Sequence, residues 1–324
     1  MKHEIFCTLG PGSLNKKFLN FAEKNNVALV RLNLSHLTLK NLIKNIKFIQ
    51  QNSKLKICID TEGAQIRTKI KGSPISVKKN KFFFINKKKG KFKLYPENIF
   101  DQLKKNNILD IGFNNLKAKI IEKNKNKIKL RCIEQGVLEN NKGVHVINNS
   151  RIKINYLTEK DLAAIEIGKK YKIKNFALSF TNSPEDIKKF KEKLKNCRTI
   201  FKLETKKAIK NLKILFKTAD DFLIDRGDLS KEIKIVNVPI VQRKIFKLKN
   251  KFRNIKIAIA TNFLESMIDK PFPTRAEVND IYNACEMGVT GLVLAAETAI
   301  GKYPEECVKL LKKIIKVFNK NKIK

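Results

Sequence analysis

The order of apolar and polar positions along the chain switches repeatedly between two periods. Short, nearly continuous aliphatic runs occur at Glu4–Leu9, Ala28–Leu34, Lys56–Asp60, Asn175–Phe180, Thr199–Leu203, Asp221–Ile224, Lys256–Ala260 and Thr290–Leu294. Runs this short, rich in β-branched residues and apolar on both faces, suit the strands of a parallel sheet covered on both sides. Between them, apolar residues recur at helical spacing over Asn15–Lys24, Leu39–Gln51, Thr158–Lys170, Pro184–Lys195, Lys206–Lys217, Val238–Lys251, Ala276–Met287 and Pro304–Phe318. Ser183-Pro184-Glu185 and Thr158 with Asp161 add helix-start signals. Eight such units predict an α/β fold, a (β/α)8 TIM barrel.

One step is out of scale. The strand starts lie 22 to 35 residues apart, except for the 119 residues from Lys56 to Asn175. The surplus predicts a domain inserted after the third strand. Inside it, Lys81–Asn86, Lys117–Glu122, Lys127–Ile133 and Gly143–Ile147 alternate with period two, with turns at Lys89-Gly90 and Asn124–Asn126. That pattern reads as a small antiparallel β-barrel or sandwich. The expected division is 1–67 and 150–324 for the barrel and 68–149 for an inserted β lid domain. Without the insert, about 240 residues remain, close to the ~250 of such barrels.

Charge changes this picture less than its size suggests. The chain carries 70 Lys+Arg against 30 Asp+Glu, a net charge of +40. Only nine of those cations are arginine, and the 61 lysines are spread over the chain among Asn and Ile, as an AT-biased coding sequence would produce. Specific nucleic-acid recognition leans on arginine, so no specific nucleic-acid partner is expected. A diffuse positive field still attracts anionic metabolites. No apolar stretch reaches 18 residues, and Met1-Lys2-His3-Glu4-Ile5 runs straight into a strand pattern with no leader-like apolar region. A cytoplasmic protein without membrane association is expected. The six cysteines include no C-x-x-C pair and read as buried free thiols.

Active sites of such barrels lie at the C-terminal ends of the strands. Those ends carry Arg31, Asn33 and Ser35; Asp60, Thr61 and Arg67; Lys202 and Glu204; Arg226 and Asp228; Thr261; and Glu297. Four of the nine arginines, Arg31, Arg67, Arg226 and Arg275, fall on or near them. In so lysine-rich a chain this marks positions where a forked contact to phosphate or carboxylate is wanted. Lys202 and Glu204 share a face of one strand. Glu204 with Asp228 on the next strand could hold one divalent ion. Singly, Lys202 or Arg31 reads as a structural ion pair; the set at one end of eight strands reads as a site for a phosphorylated, enolizable acid.

These residues sit in recognisable segments. Arg31-Leu-Asn-Leu-Ser-His36, Asp60-Thr-Glu-Gly-Ala-Gln-Ile-Arg67, Lys202-Leu-Glu204, Asp225-Arg-Gly-Asp228, Ala260-Thr-Asn-Phe-Leu-Glu-Ser-Met267, Lys270-Pro-Phe-Pro-Thr-Arg-Ala-Glu277 and Ala296-Glu-Thr-Ala299 resemble pyruvate kinase, in the family's motif order. The resemblance implies the glycolytic transfer of a phosphoryl group from phosphoenolpyruvate to ADP, giving pyruvate and ATP. By position it implies Mg²⁺ or Mn²⁺ on Glu204 and Asp228, and K⁺ near Asn33, Ser35, Asp60 and Thr61. It places the substrate against Arg31, Lys202, Gly227, Asp228 and Thr261, with Arg31, Lys202 and Thr261 catalytic. Asn33, His36 and Arg67 would face the nucleotide, and the insert would close over it. The family's barrel-to-barrel contacts could make a homodimer, and the family's usual C-terminal allosteric domain is expected to be absent here.

The chain departs from the family pattern in places. Glu62 and Ala64 replace a Lys and a Pro, Gln65 replaces an acid linked to K⁺ dependence, and Ala295-Ala296 replaces Ser-Gly. Asp225 replaces a small residue, close to where the substrate carboxylate would lie on backbone amides. Asp225 must therefore point away, bind a cation or signal a changed substrate. Two other readings stand beside the kinase: a divergent member with altered or lost activity on another enolpyruvyl or 2-oxo acid, and a polyanion-binding protein using its lysine surface.

Overall fold

A computed structural model describes residues 3–112, 116–148 and 152–321. Eight parallel strands close into a barrel: β1 (Glu4–Thr8), β2 (Leu29–Asn33), β3 (Ile57–Asp60), β4 (Asn175–Leu178), β5 (Arg198–Leu203), β6 (Asp221–Asp225), β7 (Lys256–Ala260) and β8 (Gly291–Leu294). Each pairs with its neighbours in chain order, and β1 pairs with β8 to close the ring. The α/β barrel read from the sequence is therefore present, strand for strand.

Helices follow the strands where caps and apolar spacing favour them. Thr38 caps Leu39–Asn52 by accepting the Asn41 N–H, and Leu42, Ile46 and Ile49 bury one face of that helix. Ser183 and Asp186 form a capping box on Pro184–Lys193, as do Thr274 and Glu277 on Arg275–Glu286. The helix expected over Lys206–Lys217 is broken at Asn211 into Lys206–Lys210 and Leu212–Thr218. A short helix not foreseen, Arg226–Ile233, starts directly after β6. Asp228 thus lies in a helical first turn, not on a strand as the sequence suggested.

The chain divides into two compact units, Met1–Gly63 with Glu159–Lys324, and Ala64–Thr158. The return boundary read from the sequence, at 149–150, lies outside the described residues. The second unit is an antiparallel sheet of seven strands in the order Phe82–Asn86, Lys127–Glu134, Leu116–Lys123, Ile108–Ile111, Gly143–Val146, Ile66–Ile70, Phe92–Tyr95. A separate pair joins Gly136–Leu138 to Ile75–Val77. Alternate residues such as Leu116, Ala118, Ile120, Ile128, Leu130 and Cys132 form its own core.

Candidate active site

The two-residue period of a strand decides which side chains enter the barrel. Leu29, Cys58, Ala177, Ile200, Leu223, Ala258 and Val293 meet Phe6 in its interior. Residues two positions along share that face: Arg31, Asp60, Ser179, Lys202 and Asp225 at the C-terminal end, Arg198 and Asp221 at the other. Arg198 is held by Glu4 at 2.7 and 3.0 Å and by Asp221 at 2.7 Å. Ionic closure at the N-terminal face serves stability. The other end is different, because its charges are not paired one to one.

Lys202 Nζ lies 2.8 Å from Glu204 Oε1, 3.3 Å from Asp225 Oδ2 and 3.5 Å from Asp60 Oδ2. It also donates to Ser179 Oγ at 3.2 Å. Arg31 reaches Asp60 Oδ2 at 3.2 Å and donates from Nε to Thr8 Oγ1 at 3.0 Å. Glu204 is fixed by the Phe180 N–H at 2.6 Å. Glu204, Asp225 and Asp228 each offer a carboxylate oxygen, all within 4.8 Å of one another. Burial pushes the Glu204 carboxyl up to about 8; Lys202 opposes this, and Asp225 and Asp228 add to it. For Asp225 burial also works upward, but Lys202 and Arg31 outweigh it and hold the group low. Burial works against the Lys202 ammonium too, yet Asp60, Glu204 and Asp225 keep its pKa raised. Within this cluster the Glu204 carboxyl is thus raised and the Asp225 carboxyl lowered, while Lys202 stays charged.

Past β7 the backbone takes a costly conformation. Thr261 and Asn262 have φ of 76° and 58°, a region β-branched residues avoid and which persists only where neighbours enforce it. The enforcement is visible. Arg226 donates from two guanidinium nitrogens to the Thr261 carbonyl, at 3.1 and 2.6 Å, and from a third to Asp280 at 2.6 Å. Thr261 Oγ1 accepts the Gly227 N–H at 2.9 Å. The buried Glu297 carboxylate accepts the N–H groups of Phe263 and Leu264 at 3.1 Å and of Ala295 at 2.7 Å.

Comparison with known proteins places this geometry. The family model for the pyruvate kinase barrel domain matches residues 1–308. The chain belongs to the pyruvate kinase family. It is 34% identical to the pyruvate kinase of Thermotoga maritima, over 97% of this chain and 70% of that protein. With the Methanocaldococcus jannaschii pyruvate kinase the identity is 35%, covering 98% and 69%. With that of Staphylococcus epidermidis it is 32%, covering 97% of this chain and 56% of the relative.

Within this family frame, the structure brings together Arg31, Asp60, Lys202, Glu204 and Asp228 of the expected residues. Asn33 pairs with Asp60 across β2 and β3, and its Oδ1 accepts the Ser35 N–H at 3.0 Å. Thr61 Oγ1 accepts the Ser179 N–H at 2.9 Å, and its carbonyl accepts the Ser179 hydroxyl at 2.7 Å. His36 is exposed at the end of the turn Leu34–His36. Arg67 belongs to the inserted unit, where it donates to the Asn141 carbonyl. Arg226 was expected to offer its fork to a ligand; that fork holds the Thr261 carbonyl instead. Arg275 is exposed at a helix start. Of the departures, Glu62 is answered by Lys160 at 2.8 Å. Asp225 points inward, into the centre of the site.

Sequence reasoning passed over Ser179, Thr8 and the Phe180 N–H. Ser179 had a signal: it is the first polar residue after β4, in phase with the inward Ala177. The cysteine reading fits the structure, which has all six free and five buried. Burial, the largest cause, pushes the Cys58, Cys285 and Cys307 thiols up to about 12, so they are unreactive at neutral pH. Among the described residues no helix is long and apolar enough to cross a membrane.

Proposed function

We propose that the chain transfers a phosphoryl group from phosphoenolpyruvate to ADP, giving pyruvate and ATP, with Mg²⁺ or Mn²⁺. The observation that carries this reading is the pair of buried cations, Arg31 and Lys202, set beside Glu204, Asp225 and Asp228 at the C-terminal end of the barrel. Phosphoryl transfer asks for positioning and charge neutralisation rather than a protein nucleophile, and no nucleophile is needed here. The phosphorus–oxygen bond to the enol breaks, the bond to the ADP oxygen forms, and the enolpyruvate left behind takes a proton on carbon.

Arg31 and Lys202 are the groups to hold the phosphoryl oxygens and offset their charge. Thr261 and the Gly227 N–H, braced by Arg226, are fixed beside the position of the enolate. The divalent ion fits the residues present. Glu204 and Asp228 are hard oxygen donors, and Glu204 Oε1, buried against Lys202, accepts no other hydrogen bond among the described residues. When bound, such an ion supplies further neutralisation of the developing charge. K⁺, where the reaction uses it, would sit at Asn33, Ser35, Asp60 and Thr61, of which Asn33 Oδ1 and Thr61 Oγ1 already accept one backbone N–H each.

The test is a lactate-dehydrogenase-coupled assay with phosphoenolpyruvate, ADP and Mg²⁺, with and without K⁺, against Lys202→Ala. Pyruvate formation lost in the variant supports the reading. Turnover no greater than in the variant would sink it and leave a second reading, a family member acting on another enolpyruvyl or 2-oxo acid. The observation favouring that second reading is the inward, charged Asp225.

A further inference from the structure

Asp225 ends β6 on its inward face and is 5% exposed. Its Oδ2 lies 3.3 Å from Lys202 Nζ. Its Oδ1 is 3.4 Å from the point where a Cβ on Gly227 would stand, and Thr261 Oγ1 is 3.6 Å from that point. A buried ammonium is what proteins use to seat a carboxylate, and the space beside Gly227 is already filled by Asp225 and Thr261. Here the seated carboxylate is the chain's own.

We propose that Asp225 is an internal occupant of the carboxylate position beside Lys202, and that it sets specificity by making any carboxylate-bearing substrate compete for Lys202. The inference rests on the reading above, that the substrate is a phosphorylated carboxylic acid. Charge argues the same way. Two buried cations, Arg31 and Lys202, face three buried carboxylates, Asp60, Glu204 and Asp225, while the partly exposed Asp228 has its own partner in Lys231 at 2.8 Å. Removing Asp225 keeps Glu204 and Asp228 for a divalent ion and leaves Lys202 with one competing carboxylate fewer. Asp225 is thus a specificity-determining residue, and its charge rather than its bulk is the agent.

Calorimetric titration of Mn²⁺, and then of oxalate onto the Mn²⁺-loaded full chain, tests this in the wild type, Asp225→Asn and Asp225→Ala. Oxalate stands in for the planar, dianionic enolpyruvate. Both variants should bind oxalate about tenfold or more tightly than the wild type, the size expected for removing one like charge at close range. Mn²⁺ affinity without oxalate should stay within about threefold, because Glu204 and Asp228 remain. Asp225→Asn keeps the shape, so it carries the test if Asp225→Ala fails to fold. Unchanged or weaker oxalate binding overturns the inference. A loss of Mn²⁺ affinity of about tenfold or more in both variants also overturns it, making Asp225 a third metal ligand. If oxalate binds none of the three proteins, both this inference and the phosphoenolpyruvate reading fall. Unchanged oxalate binding with wild-type turnover intact overturns this inference alone.

Discussion

Replacing Lys202 with Met removes the one buried charge that touches three carboxylates while keeping a similar volume. Lys202 lies 2.8, 3.3 and 3.5 Å from Glu204, Asp225 and Asp60. At an effective dielectric of about 20, each contact is worth about 5 kcal/mol. The three do not add, because the carboxylates repel one another and Glu204, already raised to about 8, takes up a proton when the ammonium goes. The net cost should be that of breaking a buried ion pair, ~3–5 kcal/mol. At ~2–4 °C per kcal/mol, the barrel transition should fall by roughly 6–20 °C in scanning calorimetry without metal. Millimolar Mn²⁺ should narrow that gap. A divalent ion neutralises the same carboxylates and binds the variant without competition from the ammonium, and at a hundred times its dissociation constant it contributes about 2.7 kcal/mol. Turnover should drop by about 10²–10³, as for loss of one preorganised charge-stabilising group. A metal-free shift below about 3 °C, or the same gap with and without Mn²⁺, would refute the view that Lys202 is the common counter-ion of this cluster.

Arg226→Lys keeps the charge but loses the fork on the Thr261 carbonyl and Asp280; we expect about 1–3 kcal/mol less stability and a fall in kcat larger than any change in KM, measured by denaturant unfolding and steady-state kinetics. Gly63 has φ +72°, and a Cβ there would lie 2.7 Å from Ser179 Cβ and 2.8 Å from its carbonyl; Gly63→Ala should cost about 1–3 kcal/mol and disturb Lys202 through Ser179, and a neutral result in urea melts would contradict the close packing. Burial works upward on the Glu277 carboxyl, but hydrogen bonds from Ser266 and Thr274 outweigh it and hold the group below the ordinary glutamate range. Its stabilisation is therefore complete above that range and is lost as pH falls through the depressed value. Glu277→Gln should be less stable than wild type at pH 6, with the difference shrinking towards pH 3; a constant difference would argue against the linkage.

The barrel was legible because its strands are buried on both faces and so write continuous apolar runs. The insert was legible only in part. Lys81–Asn86, Lys117–Glu122, Lys127–Ile133 and Gly143–Ile147 were found from their alternation, and the structure has strands over Phe82–Asn86, Leu116–Lys123, Lys127–Glu134 and Gly143–Val146. Ile66–Ile70, Ile75–Val77, Phe92–Tyr95, Ile108–Ile111 and Gly136–Leu138 were not, being runs of only three to five residues that complete few periods. In the site, Lys202 and Glu204 were readable from the period of two. The same parity applies to Asp225, in phase with the inward Leu223, so its direction was available before its partners were. Arg226 comes one residue later, and a helix starts there at once, turning its fork towards Thr261. Its partner is 35 residues away in sequence, a distance no local pattern spans.

Glu62 and Asp225 look alike on paper, since each brings an acid to the edge of the site, but their surroundings separate them. Glu62 meets Lys160 at 2.8 Å, a cation not otherwise engaged with an acid among the described contacts, so the change closes on itself. Asp225 meets Lys202, a cation that Glu204 and Asp60 already share. Glu62 and Lys160 together carry no net charge, whereas a third acid on the shared Lys202 adds a full negative unit to the site. The first departure is compatible with the family's chemistry as it stands. The second acts where an anionic substrate must bind, and for that reason Asp225, rather than Glu62, is the residue on which the substrate question turns.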